Sequence, residues 1–244
     1  MQVLPFTDAV VPAAFDVAGQ DVDELPRVLP PAGDEPAFVL GSYKLARIAR
    51  GLGFSPGAFF DGLRYSEWSE GWGHRRLLNP HAWIGPLSEA AVSTQVFMRP
   101  NADSKEFPGR VFNRSGFYAW RKRTTEEGVE HVPANTEVLI ASVVRDIHYE
   151  ARVWIVDGEI VTASLYKRGG RAFVSDQVDR EALWFAAGAV HDWCPSPAFV
   201  LDVAKTADGM KIVEANCLSA AGFYAGDMQR LVVALEDYFQ RHRS

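Results

Sequence analysis

The sequence predicts an α+β fold, long enough at 244 residues for two lobes and a short leading segment. Three observations carry that expectation: two strand pairs closed by the Asp-Gly turns at 157–158 and 208–209, an amphipathic helix between them, and a second amphipathic helix near the end of the chain. Asp-Gly between two apolar, β-branched runs is a hairpin signal, because the turn needs backbone conformations that Gly and Asp reach at low cost.

In chain order, Pro26, Pro30, Pro31 and Pro36 mark residues 26–36 as a loop or linker, since proline removes a donor and restricts its predecessor. Ala37–Leu40 reads as a short buried strand, Gly41-Ser42 as a turn and Tyr43–Gly51 as a basic helix. The stretch RYSEWSEGWGHRRLLNPHAWIG concentrates Trp68, Trp72, Trp83, His74 and His81. A ligand pocket and a packed core both use such residues; packing is the expectation, as the histidines lack metal spacing. Residues 137–168 read as three strands, Val138–Val144, Ala151–Val156 and Glu159–Tyr166. A helix follows over Asp179–Trp193, with the stripe Leu183, Ala186, Ala187 and Val190 facing a sheet. The last helix, Gly226–Arg241, presents Met228, Leu231, Val232, Leu235 and Phe239.

The hairpin around Asp208-Gly209 holds the most informative residues. Pairing its strands brings Asp202 near Glu214, and Glu214 and Asn216, two apart, share a face. Two carboxylates and an amide then supply the oxygen donors that Mg2+ takes alongside substrate phosphates. The same residues on a solvated hairpin would be ordinary surface charges. Arg152 and Glu150, on one strand face, also admit the plainer reading of an ion pair.

Together these elements resemble the ATP-grasp superfamily, over roughly residues 94–240. EARVWIVDGEIVTASLYKR looks like the ribosomal-protein glutamate-ligase type of carboxylate–amine ligase, in which an Arg opens one strand and a basic residue closes the next. The run QVFMRPNADSKEFPGRVF departs from the usual pattern: Arg99 stands where a first ATP-binding lysine is expected, with Lys105 and Phe107-Pro108-Gly109 following. A compact clade of the superfamily makes that replacement, and Arg keeps the charge and adds a fork for phosphate oxygens. Arg99 at a strand end also reads as a solvated charge.

The resemblance implies an ATP-grasp fold of two α/β lobes clasping ATP. A reduced leading α/β domain would span 1–90 and the ATP-grasp domain 91–244, its small lobe about 91–140 and its large lobe about 141–244. It implies Asp202, Glu214 and Asn216 as Mg2+ ligands, and Arg152 and Lys167 as catalytic cations facing the phosphates or an acyl phosphate. Arg99, Lys105, Ile140, Ala141, Ser142, Val143 and Glu150 would contact ATP, the segment 140–143 through its backbone. Ser219, Gly222 and Tyr224, in a loop bordering the acceptor site, would bear on specificity. The implied activity is an ATP-dependent, amide-forming carboxylate–amine ligation through an acyl phosphate. An ATP-grasp phosphotransferase and a non-catalytic nucleotide-binding module are the alternatives.

Composition bounds the partners. A formal net charge of -6 and the offset of Arg121-Lys122-Arg123 by Glu126 and Glu127 argue against a nucleic-acid surface. No stretch approaches the ~20 apolar residues of a membrane span, and the first residues, with Asp8 and no basic start, make a poor signal peptide. A cytoplasmic protein acting on small-molecule or peptide carboxylates and amines is expected, and a homodimer through the leading domain is compatible with the chain. Cys194 and Cys217 form no disulfide framework, and Cys217, next to Asn216 on a strand, reads as a core thiol.

Overall fold

The computed structural model describes residues 2–4, 37–40, 43–54, 56–57, 59, 62–103, 106–126, 132–144 and 146–242. The expected 26–36 loop, the Gly41-Ser42 turn and Lys105 lie outside them.

Three sheets organise the described chain. Strands β1 (Gln2–Leu4), β2 (Ala37–Val39) and β3 (Pro56–Gly57) form a parallel sheet in that order, accompanied by helix α1 (Tyr43–Gly51). A four-stranded antiparallel sheet follows in the order β4 (Trp83–Pro86), β7 (Glu137–Ser142), β5 (Val96–Pro100), β6 (Arg110–Phe112). The third sheet, also antiparallel, runs β10 (Arg171–Ser175), β9 (Glu159–Arg168), β8 (Ile147–Val156), β11 (Ala198–Thr206), β12 (Gly209–Cys217). Helix α2 (Tyr65–Trp72) precedes β4, and α3 (Arg114–Thr125) follows β6, capped by the Asn113 side chain accepting from Gly116 N. The two Asp-Gly hairpins form where expected, and Asp157 (φ 53°) and Gly158 (φ 77°) both take the left-handed conformation that a tight hairpin turn requires.

The five-stranded sheet has two different faces. Ala151, Val153 and Ile155 of β8 and Phe199, Leu201 and Val203 of β11 point into a core shared with α2 and helix α4 (Arg180–Asp192). On the opposite face, Trp154 and Val200 pack against Phe38 and Leu40 of the leading segment and Leu231 and Leu235 of helix α5 (Met228–Arg241). Next to this patch on that second face stand Glu150, Arg152 and Asp202.

Two expectations are corrected. The buried stripe of α4 is Ala182, Ala186, Ala189 and Val190, whereas Ala187 is exposed and Leu183 half-buried. Small side chains let the helix lie close to the sheet, so the alanines face inward and the bulkier Leu183 stays at the edge. Of the tryptophans, Trp68 and Trp72 are core residues at 1% and 6% exposure, but Trp83 is 41% exposed. His74 and His81 are not core residues either; they stack on each other, with centroids 6.0 Å apart.

Candidate active site

A cleft of about 330 Å³ opens between the four-stranded and five-stranded sheets. One wall is Phe97 and Arg99 of β5 with Gly109, Arg110 and Val111. The other is Ile147 and Glu150 of β8, Lys167 of β9 and Val213 and Glu214 of β12. Ser142, Val143 and Val144, where the chain leaves one sheet for the other, line its back. The volume lies at the lower end of the usual range for small-molecule sites.

Register explains why the charged groups converge. Asp202 pairs with Arg152 on one side and with Glu214 on the other. The pairing then shifts, Val203 opposing Ile212, so Val213 is the extra residue of a β-bulge. Met210 and Ile212 belong to the core before the bulge, and Ala215 after it. The change of phase releases Glu214 and Asn216 from the core face.

Arg152 binds Asp202 in a fork, Nε donating to Oδ1 and Nη2 to Oδ2, both at 2.8 Å. Nη1 donates to the Gly222 carbonyl at 3.3 Å. The guanidinium lies 5.6 Å from the Tyr166 ring centroid and 5.2 Å from that of Tyr224, cation–π geometry that offsets part of its desolvation. Burial lowers the Arg152 pKa, but the charge and hydrogen bonds of Asp202 outweigh it and hold the guanidinium charged. Burial raises the Asp202 carboxyl to about 6, with Glu214 and Glu150 adding to the rise and Arg152 opposing it.

Around this pair, Asn216 Nδ2 donates to Glu214 Oε1 at 2.8 Å, and Arg99 Nη1 stands 3.6 Å from Glu214 Oε2. The Arg99 guanidinium lies over Tyr65 and Trp68, and its buried Nη2 makes no hydrogen bond within the described residues. Lys167 Nζ donates to Glu150 Oε1 at 2.8 Å, and Tyr166 Oη to Glu150 Oε2 at 2.7 Å. Burial, followed by the nearby charges of Asp202 and Glu150, pushes the Tyr166 hydroxyl well above its ordinary pKa, so it keeps its proton and donates the hydrogen bond to Glu150. Asp103, from the β5–β6 connection, accepts from Cys217 N at 2.9 Å and ties the end of β12 to the smaller sheet.

The family model of the ATP-grasp domain, R-2-K clade family 3, matches residues 32–235. The chain belongs to that ATP-grasp family. Its fold is similar to D-alanine–D-alanine ligase from Bacillus anthracis, with a TM-score of 0.55 at 11% identity over 91% of this chain and 84% of that one. It is also similar to a D-cycloserine synthetase (TM-score 0.54, 13% identity, 87% of this chain and 86% of that one). A third likeness is to a RimK-domain ATP-grasp protein from Sphaerobacter thermophilus (TM-score 0.53, 14% identity, 86% and 81%). No curated protein matches the chain.

Within this ATP-grasp frame the sequence candidates fall into groups. Arg99, Ser142, Val143, Glu150, Lys167 and Glu214 share the cleft, whereas Ile140 and Ala141 are buried in β7, paired with β5. Arg152 pairs with Asp202 and Glu150 with Lys167, so the Arg152–Glu150 pair does not form. Ser219 is buried, Gly222 supplies a carbonyl to Arg152, and Tyr224 stacks on Tyr166 with centroids 5.2 Å apart. Phe97, Arg110, Val111, Leu78 and Asn79 are cleft residues that sequence reasoning missed. The alternation Phe97-x-Arg99 was the available signal for the first, while Leu78 and Asn79 arrive through a bridge of Leu77 to Ile212 that no local pattern announces.

Asp202, Glu214 and Asn216 supply oxygen donors of the kind that magnesium accepts. Among the described residues no three Asp, Glu, His or Cys side chains form a metal cage. A cation here would therefore take two carboxylates, the Asn216 amide and oxygens of substrate or water, the partial set that Mg2+ accepts. Asp202 keeps a lone pair on each oxygen beyond the bond that Arg152 donates.

Proposed function

We propose that this ATP-grasp protein is an ATP-dependent carboxylate–amine ligase. The observation that supports the reading is the cleft in which Arg99, Lys167, Glu150 and Glu214 converge where the chain passes from one sheet to the other at Ser142–Val144. A carboxylate resists attack by an amine because its leaving group would be oxide. Transfer of the γ-phosphoryl group of ATP onto its oxygen makes phosphate the leaving group; the amine then attacks the acyl carbon, and the amide, ADP and phosphate result.

Each residue has a role set by its position. Arg99, on the cleft wall, brings a guanidinium charge to the phosphate side, where a preorganised cation stabilises spreading charge. Lys167 faces the same space, held by Glu150. Arg152 uses three of the five guanidinium N–H groups on Asp202 and Gly222, leaving two for the oxygens of the carboxylate substrate or its acyl phosphate. The backbone of Ser142 and Val143 would lie along the base of the nucleotide. Asp202, Glu214 and Asn216 would hold magnesium, which supplies neutralisation of phosphate charge when bound.

Calorimetric titration of the protein with a non-hydrolysable ATP analogue and magnesium tests the reading, with Glu214→Ala alongside. Magnesium-dependent binding that weakens in the variant is expected, followed by amide formation in a screen of carboxylates and amines. Absence of nucleotide binding in the parent protein overturns the proposal, and a stable phosphorylated product in place of an amide assigns a phosphotransferase.

A further inference from the structure

Glu150 receives hydrogen bonds from two consecutive residues of one strand, Tyr166 Oη at 2.7 Å and Lys167 Nζ at 2.8 Å. Consecutive side chains of a regular strand point to opposite faces. The register resolves the conflict. Glu150 pairs with Lys167 and Ala151 with Leu165, which leaves Tyr166 as the extra residue of a β-bulge in β9. A bulge of this kind re-aims a side chain and is concentrated near active sites.

Tyr166 also touches the second charged group of the site. Its ring lies beneath the Arg152 guanidinium, 5.6 Å from the centroid, and stacks on Tyr224 at an interplanar angle of 16°. Glu150 and Lys167 line the cleft, whereas Tyr166 does not. Phenylalanine at this position would keep the ring contacts and withdraw the donor from Oε2 of a carboxylate whose side chain is only 9% exposed. The hydroxyl therefore has a task separate from the ring.

We propose that Tyr166 is a positioning residue of the active site. Its hydroxyl fixes Glu150, and through Glu150 the Lys167 ammonium, against the nucleotide, while its ring supports Arg152 beside Asp202. Glu150 is then the anchor of Lys167, with both of its oxygens engaged, and not itself a contact of ATP. The inference rests on the nucleotide-binding reading of the cleft.

The test compares the parent protein with Tyr166→Phe, Glu150→Gln and the double variant, using a non-hydrolysable ATP analogue with magnesium in calorimetry and the thermal midpoint of each protein. Tyr166→Phe is expected to weaken binding on the order of tenfold, the scale of a hydrogen bond to a charged group. The double variant should bind no more weakly than the weaker single variant, because the hydroxyl acts through Glu150. A Tyr166→Phe protein that binds as the parent does, with only its thermal midpoint lowered, makes the residue purely structural and overturns the proposal, as do losses that multiply in the double variant. Should the parent bind no nucleotide, the ligase reading fails with it; parent binding with an unaffected Tyr166→Phe sinks the positioning role alone. Tyr166→Leu, which removes the ring as well, should bind more weakly than Tyr166→Phe, and equal binding by the two overturns the support of Arg152 by the ring.

Discussion

Arg152 and Asp202 stand opposite each other on β8 and β11, and their side chains meet in two parallel hydrogen bonds of 2.8 Å. Asp202 is 1% exposed and Arg152 8%. Water contributes little to holding either charge, so each is tolerated because the other is present. Removing one partner of such a buried pair leaves an uncompensated charge. Arg152→Ala is therefore expected to lose about 3–5 kcal/mol of stability. Urea unfolding measures it, and a loss below about 1 kcal/mol would class the pair with exposed ones.

The same pair sets a pH dependence. Burial, with Glu214 and Glu150, raises Asp202 from its ordinary 3.8 to about 6 in the folded chain. Between those values the folded state holds more protons than the unfolded one, so this group's contribution to stability is full below pH 3.8 and is lost as pH rises through 6. At about 1.4 kcal/mol for each pH unit between the two values, the loss is ~3 kcal/mol. Unfolding at pH 4 and pH 7, compared between the parent and Asp202→Asn, isolates it, because the variant lacks this one titration. Parallel pH profiles for the two proteins would contradict the raised value.

Arg99→Lys keeps the charge but removes the fork. Since Nη2 of Arg99 makes no hydrogen bond within the described residues, the substitution should cost little stability. Nucleotide affinity, by contrast, should fall roughly tenfold, as expected where a bidentate contact becomes a point charge. Fluorescence from the nearby Trp68, 5.6 Å from the Arg99 guanidinium, offers a readout of binding. Unchanged affinity would return Arg99 to the status of a structural charge.

Gly226, just before α5, has no room for a side chain. A Cβ there would lie 2.9 Å from Trp154, which is fully buried, and 3.1 Å from the Phe223 carbonyl oxygen. Gly226→Ala should destabilise the protein by about 1–3 kcal/mol, the usual range for overpacking. The thermal midpoint checks it; an unchanged value would mean that the loop shifts freely.

Much of the architecture was legible because its causes are local. The Asp-Gly turns, the Tyr43–Gly51 helix and the pairing of Asp202 with Glu214 follow from backbone preferences and alternation, and the structure contains all three. The α4 stripe was read correctly at Ala186 and Val190 but misplaced at Leu183 and Ala187, because the spacing of apolar residues cannot tell which side a sheet will approach when alanines lie all round the helix. Tyr166 escaped notice for a related reason. In sequence it sits next to Lys167 and should point away from it, and only the bulge in β9 turns both toward Glu150.

Local preferences in the chain were enough to set the strands of the two Asp-Gly hairpins, their turns, the two closing helices and the chemical types gathered in the hairpin at 199–217, since propensity and alternation act within a few residues. Which charge meets which was settled only when the sheets came together: Arg152 takes Asp202 and leaves Glu150 to Lys167 and Tyr166. Packing of the sheets also brought Arg99, 115 residues before Glu214 in the chain, to face it across the cleft. Bulges and sheet packing select partners by register and by distance in space, and a one-residue slip at Val213 or Tyr166 reverses a face without any change of composition.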